Sequence, residues 1–351
     1  MFIYWALFAY FAVGAMVSPK EAERARRLTP LLLLGALAIT ILIGFRYKVG
    51  ADWDTYQAFF DWRSGGGPNA PAGEDPGYQF VNWVVQQANL DVWAVNFICA
   101  AIFTWGLIRF CLAQADPWLS VLIAIPYMVI VVAMGYTRQA VALGILMGGL
   151  ADVQRGASTL RFSIYTAVAA LFHRTAVMAL PIVALSSRRN RAINLLIGIS
   201  AGILLYDVFL GSSLDKFMQN YIHRGYSSSG AGIRLAMNFV AAVVLVLANR
   251  RLRFTETEWR IWRNFSVASV ILLILLFFTP SSTAIDRMSI YVMPLQIAVL
   301  SRVPLAFGSQ LMGRLLVILY LAAVQFTWLN FAQHAQFWVP YRFFVPLGWV
   351  P

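Results

Sequence analysis

The sequence predicts an all-α polytopic integral membrane protein with about 10–12 transmembrane helices. Three observations predict it: 60% of the 351 residues are hydrophobic, only 12% are charged, and the mean hydropathy is +0.69. Soluble domains of this length do not normally combine these values. Because little polar sequence separates the apolar segments, we expect a single transmembrane domain over residues 1–351.

Apolar segments follow one another along the whole chain. They lie at about 1–17, 28–45, 91–113, 118–134, 138–151, 161–172, 175–186, 192–210, 233–249, 263–280, 287–301 and 310–330. A span normally needs about 20 apolar residues, so we expect the short segments around His173 and after Arg138 to be tilted, broken or only partly crossing. The first segment has no positively charged start and no small-residue cleavage site, so we expect a retained span.

Two polar stretches interrupt the apolar pattern. The longer one, at about 46–90, contains Gly65-Gly66-Gly67-Pro68 and then an amphipathic run from Tyr78 to Val92. It predicts an outer-face loop with a flexible lid and an interfacial helix. The shorter one, at about 211–232, predicts a smaller loop on the same face.

The basic residues indicate topology rather than nucleic-acid binding. The formal net charge is +12, but the charges occur in short clusters between apolar segments and not along one face of a soluble domain. Cytoplasmic loops of membrane proteins are rich in such residues. The clusters are Lys20 with Arg24, Arg26 and Arg27; Arg155 with Arg161; Arg188, Arg189 and Arg191; and Arg250, Arg251 and Arg253. If they share the cytoplasmic face, both loops lie on the outer face.

A second set of arginines breaks this positive-inside pattern. It comprises Arg46, Arg138, Arg174, Arg224, Arg234 and Arg287. Ionisable groups at such depths are costly and usually face a cavity or a partner. The planar guanidinium group matches phosphate oxygens well, and several of them together would bind a diphosphate. The alternative is that each one reaches the interface or pairs with an acid, as Asp286 and Arg287 could.

Acidic residues and histidines near these arginines are candidates for proton transfer. Asp52 and Asp75 lie in the 46–90 loop, and His173 lies between two short apolar arms. A carboxylate beside phosphate-binding arginines could accept a proton from an attacking hydroxyl. A lone histidine is also often a satisfied core group. Asp52-Trp53-Asp54 resembles a metal-binding Asp-x-Asp, but the pattern is short and no second ligand cluster accompanies it, so we expect no metal.

Several function classes are disfavoured. The chain has no phosphate-binding Gly-Lys-Ser/Thr loop, dinucleotide glycine pattern, nucleophile elbow or His-Glu-x-x-His motif. Its two cysteines, Cys99 and Cys111, lie in apolar sequence and are too few for a disulfide scaffold or a zinc site. We therefore expect no cofactor and an already activated substrate.

Five short motifs occur in one order along the chain. They are Arg46 with Val49-Gly50-x-Asp52 and Tyr56; Asp75-Pro76-Gly77-Tyr78; Arg138-Gln139-Ala140; Phe172-His173; and Arg287-x-x-x-Tyr291. Each is weak alone, but the ordered set is more specific. With it the chain resembles the EpsG family, the Wzy-like polymerases of bacterial exopolysaccharide and O-antigen assembly.

The resemblance implies an inner-membrane glycosyltransferase with a GT-C-like helical core and a site facing the periplasm. Such a polymerase moves a growing glycan from undecaprenyl diphosphate onto a new lipid-linked repeat unit, beside a flippase and a chain-length co-polymerase. It implies diphosphate binding by Arg46, Arg138, Arg174 and Arg287; acid–base or acceptor-orienting roles for Asp52, Asp75, Glu74 and His173; and glycan contacts from Tyr56, Tyr78, Arg224 and Tyr291. Which of the adjacent Glu74 and Asp75 faces the site stays open.

Three other functions are alternatives to the polymerase. An O-antigen ligase would be expected to carry its larger outer loop in the second half of the chain, whereas here the first loop is the larger. A transporter or flippase of lipid-linked sugars would predict paired inverted halves, and no such repeat is visible. An acyltransferase would need a better His/Asp pair for activating a nucleophile than the chain offers, and it ranks last.

Overall fold

The computed structural model describes residues 1–17, 28–64, 75–186, 191–206, 230–278 and 282–344. Across these ranges the chain is helical, and the one extended pairing is a single antiparallel bridge between Arg46 and Phe343. This confirms the predicted all-α class.

The helices follow the apolar segments closely. The first half contains α1 (Phe2–Val17), α2 (Pro30–Gly44), α3 (Trp53–Ser64), α4 (Pro76–Gln87), α5 (Val92–Cys111), α6 (Pro117–Ala124) continued by a π-helix (Ile125–Ala133), α7 (Thr137–Gln154) and α8 (Thr159–Phe172). The second half contains a 3₁₀ turn (Arg174–Met178), α9 (Ala179–Ala184), α10 (Arg191–Tyr206), α11 (Ala231–Ala248), α12 (Glu256–Phe278), α13 (Ser282–Ser289), a 3₁₀ turn (Ile290–Val292), α14 (Pro294–Leu300), α15 (Val303–Ala306), α16 (Gln310–Phe331) and a last 3₁₀ turn (Ala335–Phe337).

Helix α7 is the centre of the bundle. It packs between α5 and α8, and nearly all of its residues are buried. Glycines allow the backbones to approach: a Cβ atom on Gly106 of α5 would lie 1.8 Å from the carbonyl oxygen of Gly144 of α7. Small residues have this role at many helix contacts in membranes. The close contact fixes α7, and with it the side chains at its N-terminal end.

Several described helices are long and apolar enough to cross a membrane. They are α5, α11, α12 and α16, and a bent pair over residues 282–292 and 294–306 is a fifth candidate. Shorter apolar helices lie at Phe2–Val17, Pro30–Gly44, Pro117–Ala133, Thr159–Phe172 and Arg174–Ala184. The chain is therefore a polytopic membrane protein, and the number of 10–12 spans stays a prediction.

Two breaks interrupt the helices near the start of α7 and in the second half of the chain. Helix α8 ends at Phe172 and a 3₁₀ turn starts at Arg174, which confirms the predicted break at His173. The predicted single segment 287–301 is bent by 43° between Val292 and Pro294. Such breaks free backbone groups inside a membrane and are tolerated where they line a cavity or contact other protein atoms.

The 46–90 stretch contains more helix than the sequence predicted. The expected interfacial helix is α4, which begins at Pro76, slightly earlier than predicted. Residues 53–64, for which the sequence predicted no helix, form α3 with Trp53, Tyr56, Phe59 and Phe60 buried. The predicted lid at Gly65–Pro68 and most of the predicted 211–232 loop lie outside the described residues.

Candidate active site

Polar side chains from five helix ends converge beside the N-terminus of α7. They come from the turn before α3, the start of α4, the start of α7, the break after α8, and α13 with the 3₁₀ turn that follows it. The set comprises Asp52, Asp75, Arg138, His173, Arg287 and Tyr291. All six belong to the ordered motifs of the sequence, which lie far apart along the chain.

Arg138 contacts an acid and two aromatic rings that position its side chain. Its Nη1 atom lies 3.3 Å from Oδ2 of Asp75. The guanidinium carbon lies 5.8 Å from the ring centroid of Tyr56 and 6.0 Å from that of Tyr78. The side chain keeps 29% exposure, in contrast to the buried rings beneath it. It is therefore positioned by protein groups and still open to a ligand.

Arg287 is placed next to Arg138 through the neighbouring glutamine. Its Nη1 atom donates to Oε1 of Gln139 at 3.2 Å, and Nε2 of Gln139 donates to the carbonyl oxygen of Arg287 at 3.3 Å. The guanidinium carbon lies 5.3 Å from the ring centroid of Tyr136. Since Gln139 follows Arg138 directly, this reciprocal pair fixes both arginines relative to each other.

Asp75 contacts Arg138 instead of capping its own helix. It occupies the position before Pro76 at the start of α4, but its side chain accepts no capping hydrogen bond there. Gly77 allows this end of α4 to lie against the break after α8, since a Cβ atom would be 3.1 Å from the carbonyl oxygen of Leu171. This contact brings Asp75 and His173 to the same side of the bundle.

Asp52 is positioned by a turn that requires glycine. Gly50 has φ of +104°, and a Cβ atom there would lie 2.1 Å from the carbonyl oxygen of Met134. The turn at Gly50 therefore packs directly against Met134 and Gly135, the backbone that precedes α7. Burial raises the pKa of the Asp52 carboxyl, while the positive charges of Arg287 and Arg138 oppose that rise. Asp52 is thus a half-buried acid near both arginines.

His173 is oriented by Thr175 and Tyr291. The Oγ1 atom of Thr175 lies 2.6 Å from Nδ1 of His173 and donates to the Tyr291 hydroxyl at 3.3 Å. His173 also interacts electrostatically with Arg287 and Arg138. With Nδ1 engaged by Thr175, Nε2 is the ring nitrogen that remains for a substrate group.

Arg46 lies in the core, where its guanidinium group bonds to protein atoms. Its side chain is 1% exposed and donates to the Ile43 carbonyl oxygen (2.6 Å), to Asn96 Oδ1 (2.9 Å) and to Thr137 Oγ1 (2.7 Å). These bonds join the end of α2 to α5 and to the start of α7. The geometry therefore suits a group that positions α7 rather than one that contacts a diphosphate.

The remaining predicted residues have different surroundings. Arg174 is exposed at the start of its 3₁₀ turn, and Tyr56, Tyr78 and Tyr291 are buried around the arginines. Glu74 and Arg224 lie outside the described residues, so Asp75 is the member of the adjacent acidic pair that the structure places. Asp54 is exposed, and no group of three or more His, Cys, Asp or Glu in the described part of the chain could hold a metal ion.

Some residues of the site were not singled out from the sequence. Tyr136 and Thr175 have no charge, and only their neighbours Arg138 and His173 marked them. Gln139 belongs to one of the ordered motifs, but its contact with Arg287 was not predicted. A buried ion pair also supports the site: Arg234 of α11 lies 2.8 Å from Asp286, and its Nη2 and Nε atoms donate to the Tyr127 hydroxyl. Asp286 precedes Arg287, so this pair fixes α13 against α11.

Comparison with known protein families identifies the family of the chain. A model of the EpsG family matches residues 31–343, which is most of the chain and includes every described residue of the cluster. No curated protein and no solved structure matches the chain.

Proposed function

Because the chain belongs to the EpsG family of Wzy-like polysaccharide polymerases, we propose that it transfers a growing glycan from undecaprenyl diphosphate onto a lipid-linked repeat unit. In this proposal it is a glycosyltransferase of the bacterial inner membrane, with its active site facing the periplasm. A flippase would supply the lipid-linked units, and a chain-length co-polymerase would act beside it. The bond that breaks joins the anomeric carbon to a diphosphate oxygen.

The observation that carries the proposal is the placement of two fixed arginines beside two carboxylates and a histidine. Arg138 and Arg287 would bind the diphosphate and stabilise the charge that develops as it leaves. Pre-oriented charges of this kind need no rearrangement during the reaction, and guanidinium groups bind phosphate oxygens in pairs of hydrogen bonds. Tyr136 and Gln139 hold Arg287 in place for this role.

The acceptor side would be served by Asp52 and His173. A hydroxyl at the non-reducing end of the acceptor attacks the anomeric carbon and gives its proton to the Asp52 carboxylate, as the carbon–diphosphate bond breaks. Asp75, which is already paired with Arg138, would orient that arginine. His173 would contact the acceptor through Nε2, and Tyr56, Tyr78 and Tyr291 would shape the glycan side of the site.

An apolar groove beside the candidate site is a second argument that the donor is lipid-linked. Two adjoining cavities, of about 190 Å³ and about 270 Å³, lie between the π-helix, α11 and α16. Their shared lining is Tyr127, Ile233, Trp328, Phe331 and Ala332. Tyr136, whose ring lies against the guanidinium group of Arg287, lines the first of these cavities. A prenyl chain lying along this groove would bring its diphosphate to Arg287.

The position of the basic clusters supports the proposed orientation. Arg155 follows the end of α7 and Arg250 follows the end of α11, whereas the candidate site lies at the opposite ends of both helices. By the positive-inside tendency the basic end faces the cytoplasm. The candidate site would then open to the periplasm, where lipid-linked repeat units would arrive.

The test is a reaction of the purified chain with repeat units linked to undecaprenyl diphosphate. We expect a ladder of lengthening glycans and release of undecaprenyl diphosphate, measured by gel and mass spectrometry. Arg138→Lys keeps the charge but loses paired hydrogen bonding, so we expect ladder formation to slow about tenfold to a hundredfold. Arg250→Lys, an exposed arginine at the other end of the bundle, is the matched control and should react normally.

Each alternative has a distinct result in this test. Movement of lipid-linked sugar across liposomes without a ladder would indicate a transporter. A single transfer to a lipid A core acceptor would indicate an O-antigen ligase. A normal rate for Arg138→Lys would remove that residue from the diphosphate site.

A further inference from the structure

A polar cavity lies at the end of the bundle opposite the candidate active site. Its volume is about 370 Å³. It is lined by the ends of α5 and α7, by the turn before α12 with the first residues of that helix, and by Arg302, which lies two residues after the end of α14. Helix α7 has 18 residues and runs from Arg138 to this cavity. At about 1.5 Å per residue the two places are roughly 27 Å apart, so the cavity belongs to a separate site.

The floor of the cavity is a buried ion pair between Arg302 and Glu258, and both side chains form further contacts with the protein. Nη2 of Arg302 lies 2.6 Å from Oε1 of Glu258, and both side chains are about nine-tenths buried. Oε2 of Glu258 accepts from the backbone N–H of Thr255 at 2.9 Å and from its hydroxyl at 3.0 Å. The guanidinium carbon of Arg302 lies 4.4 Å from the ring centroid of Phe254. Both oxygens of the only carboxylate in the lining are therefore bonded.

The rim of the cavity carries two exposed arginines. Arg155 follows the last residue of α7, and Arg253 lies in the turn before α12. Within the described ranges neither forms an ion pair. Arg253 has φ of +52°, which is unusual for a residue other than glycine, and Nη1 of Arg302 donates to its carbonyl oxygen at 3.3 Å. The buried arginine thus holds the rim arginine in its uncommon conformation.

From this arrangement we propose that the cavity binds a phosphate-bearing anion. Three guanidinium groups face it against one carboxylate, which leaves an excess positive charge at its mouth. Arg155 and Arg253 would bind the phosphate oxygens directly, and Arg302 would contribute from below. The anion would be the headgroup of an anionic lipid or a free phosphate compound, since basic pockets between helices suit both. The positive-inside tendency accounts for exposed arginines, but not for the cavity that Arg155 and Arg253 both line.

The test measures binding to the full chain, purified in detergent. Cardiolipin in mixed micelles and inorganic pyrophosphate in lipid-free micelles are titrated separately by calorimetry, with phosphatidylcholine as the neutral lipid. The variant R155Q/R253Q is compared with R250Q/R251Q, which removes the same charge from two exposed arginines that do not line the cavity. Thermal unfolding of both variants confirms that they remain folded.

We expect at least one of the two anions to bind the unmodified chain, and R155Q/R253Q to weaken that binding about tenfold or more. The control should change it by no more than about twofold. Cardiolipin binding alone would identify a lipid headgroup site, and pyrophosphate binding with the same variant pattern would identify a site for free phosphate compounds. Equal losses in both variants, or no binding of either anion, would overturn the proposal. Polymerisation is not measured, so either result leaves the proposed function untouched.

Discussion

Asp52 and Asp75 are neighbours of the same arginines but differ in their contacts. Asp75 is buried and lies 3.3 Å from Arg138, so its charge is already compensated by one guanidinium group. Asp52 is half-buried, and burial raises the pKa of its carboxyl despite the positive charges of Arg287 and Arg138. A carboxylate whose pKa is raised is a better proton acceptor. This difference is the physical reason for proposing Asp52 as the base.

Replacing Asp52 by Asn should slow polymerisation about a hundredfold or more, because the acceptor hydroxyl loses its proton acceptor. In the unmodified protein the active carboxylate is lost as pH falls through the raised pKa of Asp52. The rate should therefore decline on the acid side at a higher pH than an ordinary aspartate would give. Rates of ladder formation between about pH 4 and about pH 8 measure this.

The matched control for that experiment is Asp75→Asn. This variant should lower the rate through Arg138 but keep the acid-side decline, because Asp52 is still present. If Asp52→Asn reacted at the normal rate, or if it kept the same acid-side decline, Asp52 would not be the base.

Single residues were harder to interpret from the sequence than motifs. The sequence indicates Arg138 and Arg287 as candidates because each interrupts apolar sequence at a helix end. Arg46 also lies at a helix end after an apolar segment, yet its guanidinium group donates hydrogen bonds to Asn96 and Thr137. No sequence pattern predicts that these two residues lie next to Arg46. The surroundings of an arginine depend on helix packing, which charge and hydropathy do not encode.

At the level of elements, breaks in helices create the site. The break at His173 could be predicted, because a polar His-Arg pair separates two apolar arms that are each too short to span. Helix α3 could not, because its buried residues belong to a polar stretch with low hydropathy. It is buried through tertiary contacts with Tyr78 and its neighbours, for example the Tyr56–Tyr78 ring contact at 5.6 Å. Local sequence does not show such contacts.

The turn at Gly50 offers a test of how the elements are joined. Gly50→Ala places a methyl group about 2.1 Å from the Met134 carbonyl oxygen, in a conformation that side chains rarely adopt. We expect a loss of about 2–4 kcal/mol in stability and a lower polymerisation rate, since the clash displaces the start of α7. Thermal unfolding in detergent and the ladder assay measure both effects.

Gly156→Ala is the control for that substitution. Gly156 has φ of +95°, but no atom lies within 4 Å of its added Cβ, so only backbone strain of about 1 kcal/mol is expected. Equal destabilisation by the two substitutions would show that the contact between Gly50 and Met134 does not hold the turn.

In the whole molecule, composition and geometry carry different information. The all-α membrane class follows from hydropathy, because a bilayer leaves the backbone few ways to satisfy its hydrogen bonds. The convergence of Asp52, Asp75, Arg138, His173 and Arg287 does not follow from it. Asp52 and Arg287 are separated by most of the chain, and only the ordered motifs indicated that these residues belong to one site. Their distances to one another come from the packing of α7 against its neighbours.

The arginine donors of the whole site predict that no divalent metal is required. In the proposed function the N–H groups of Arg138 and Arg287 would bind the leaving diphosphate, which is the role that a divalent ion has in other phosphate sites. Ladder formation by the purified chain should therefore persist in excess EDTA at a rate within about twofold of normal. A parallel reaction with EDTA and added Mg²⁺ is the control. Complete loss of the ladder in EDTA and its recovery with Mg²⁺ would contradict the prediction, and would make Asp52 and Asp54 candidate ligands for an ion bound together with the diphosphate.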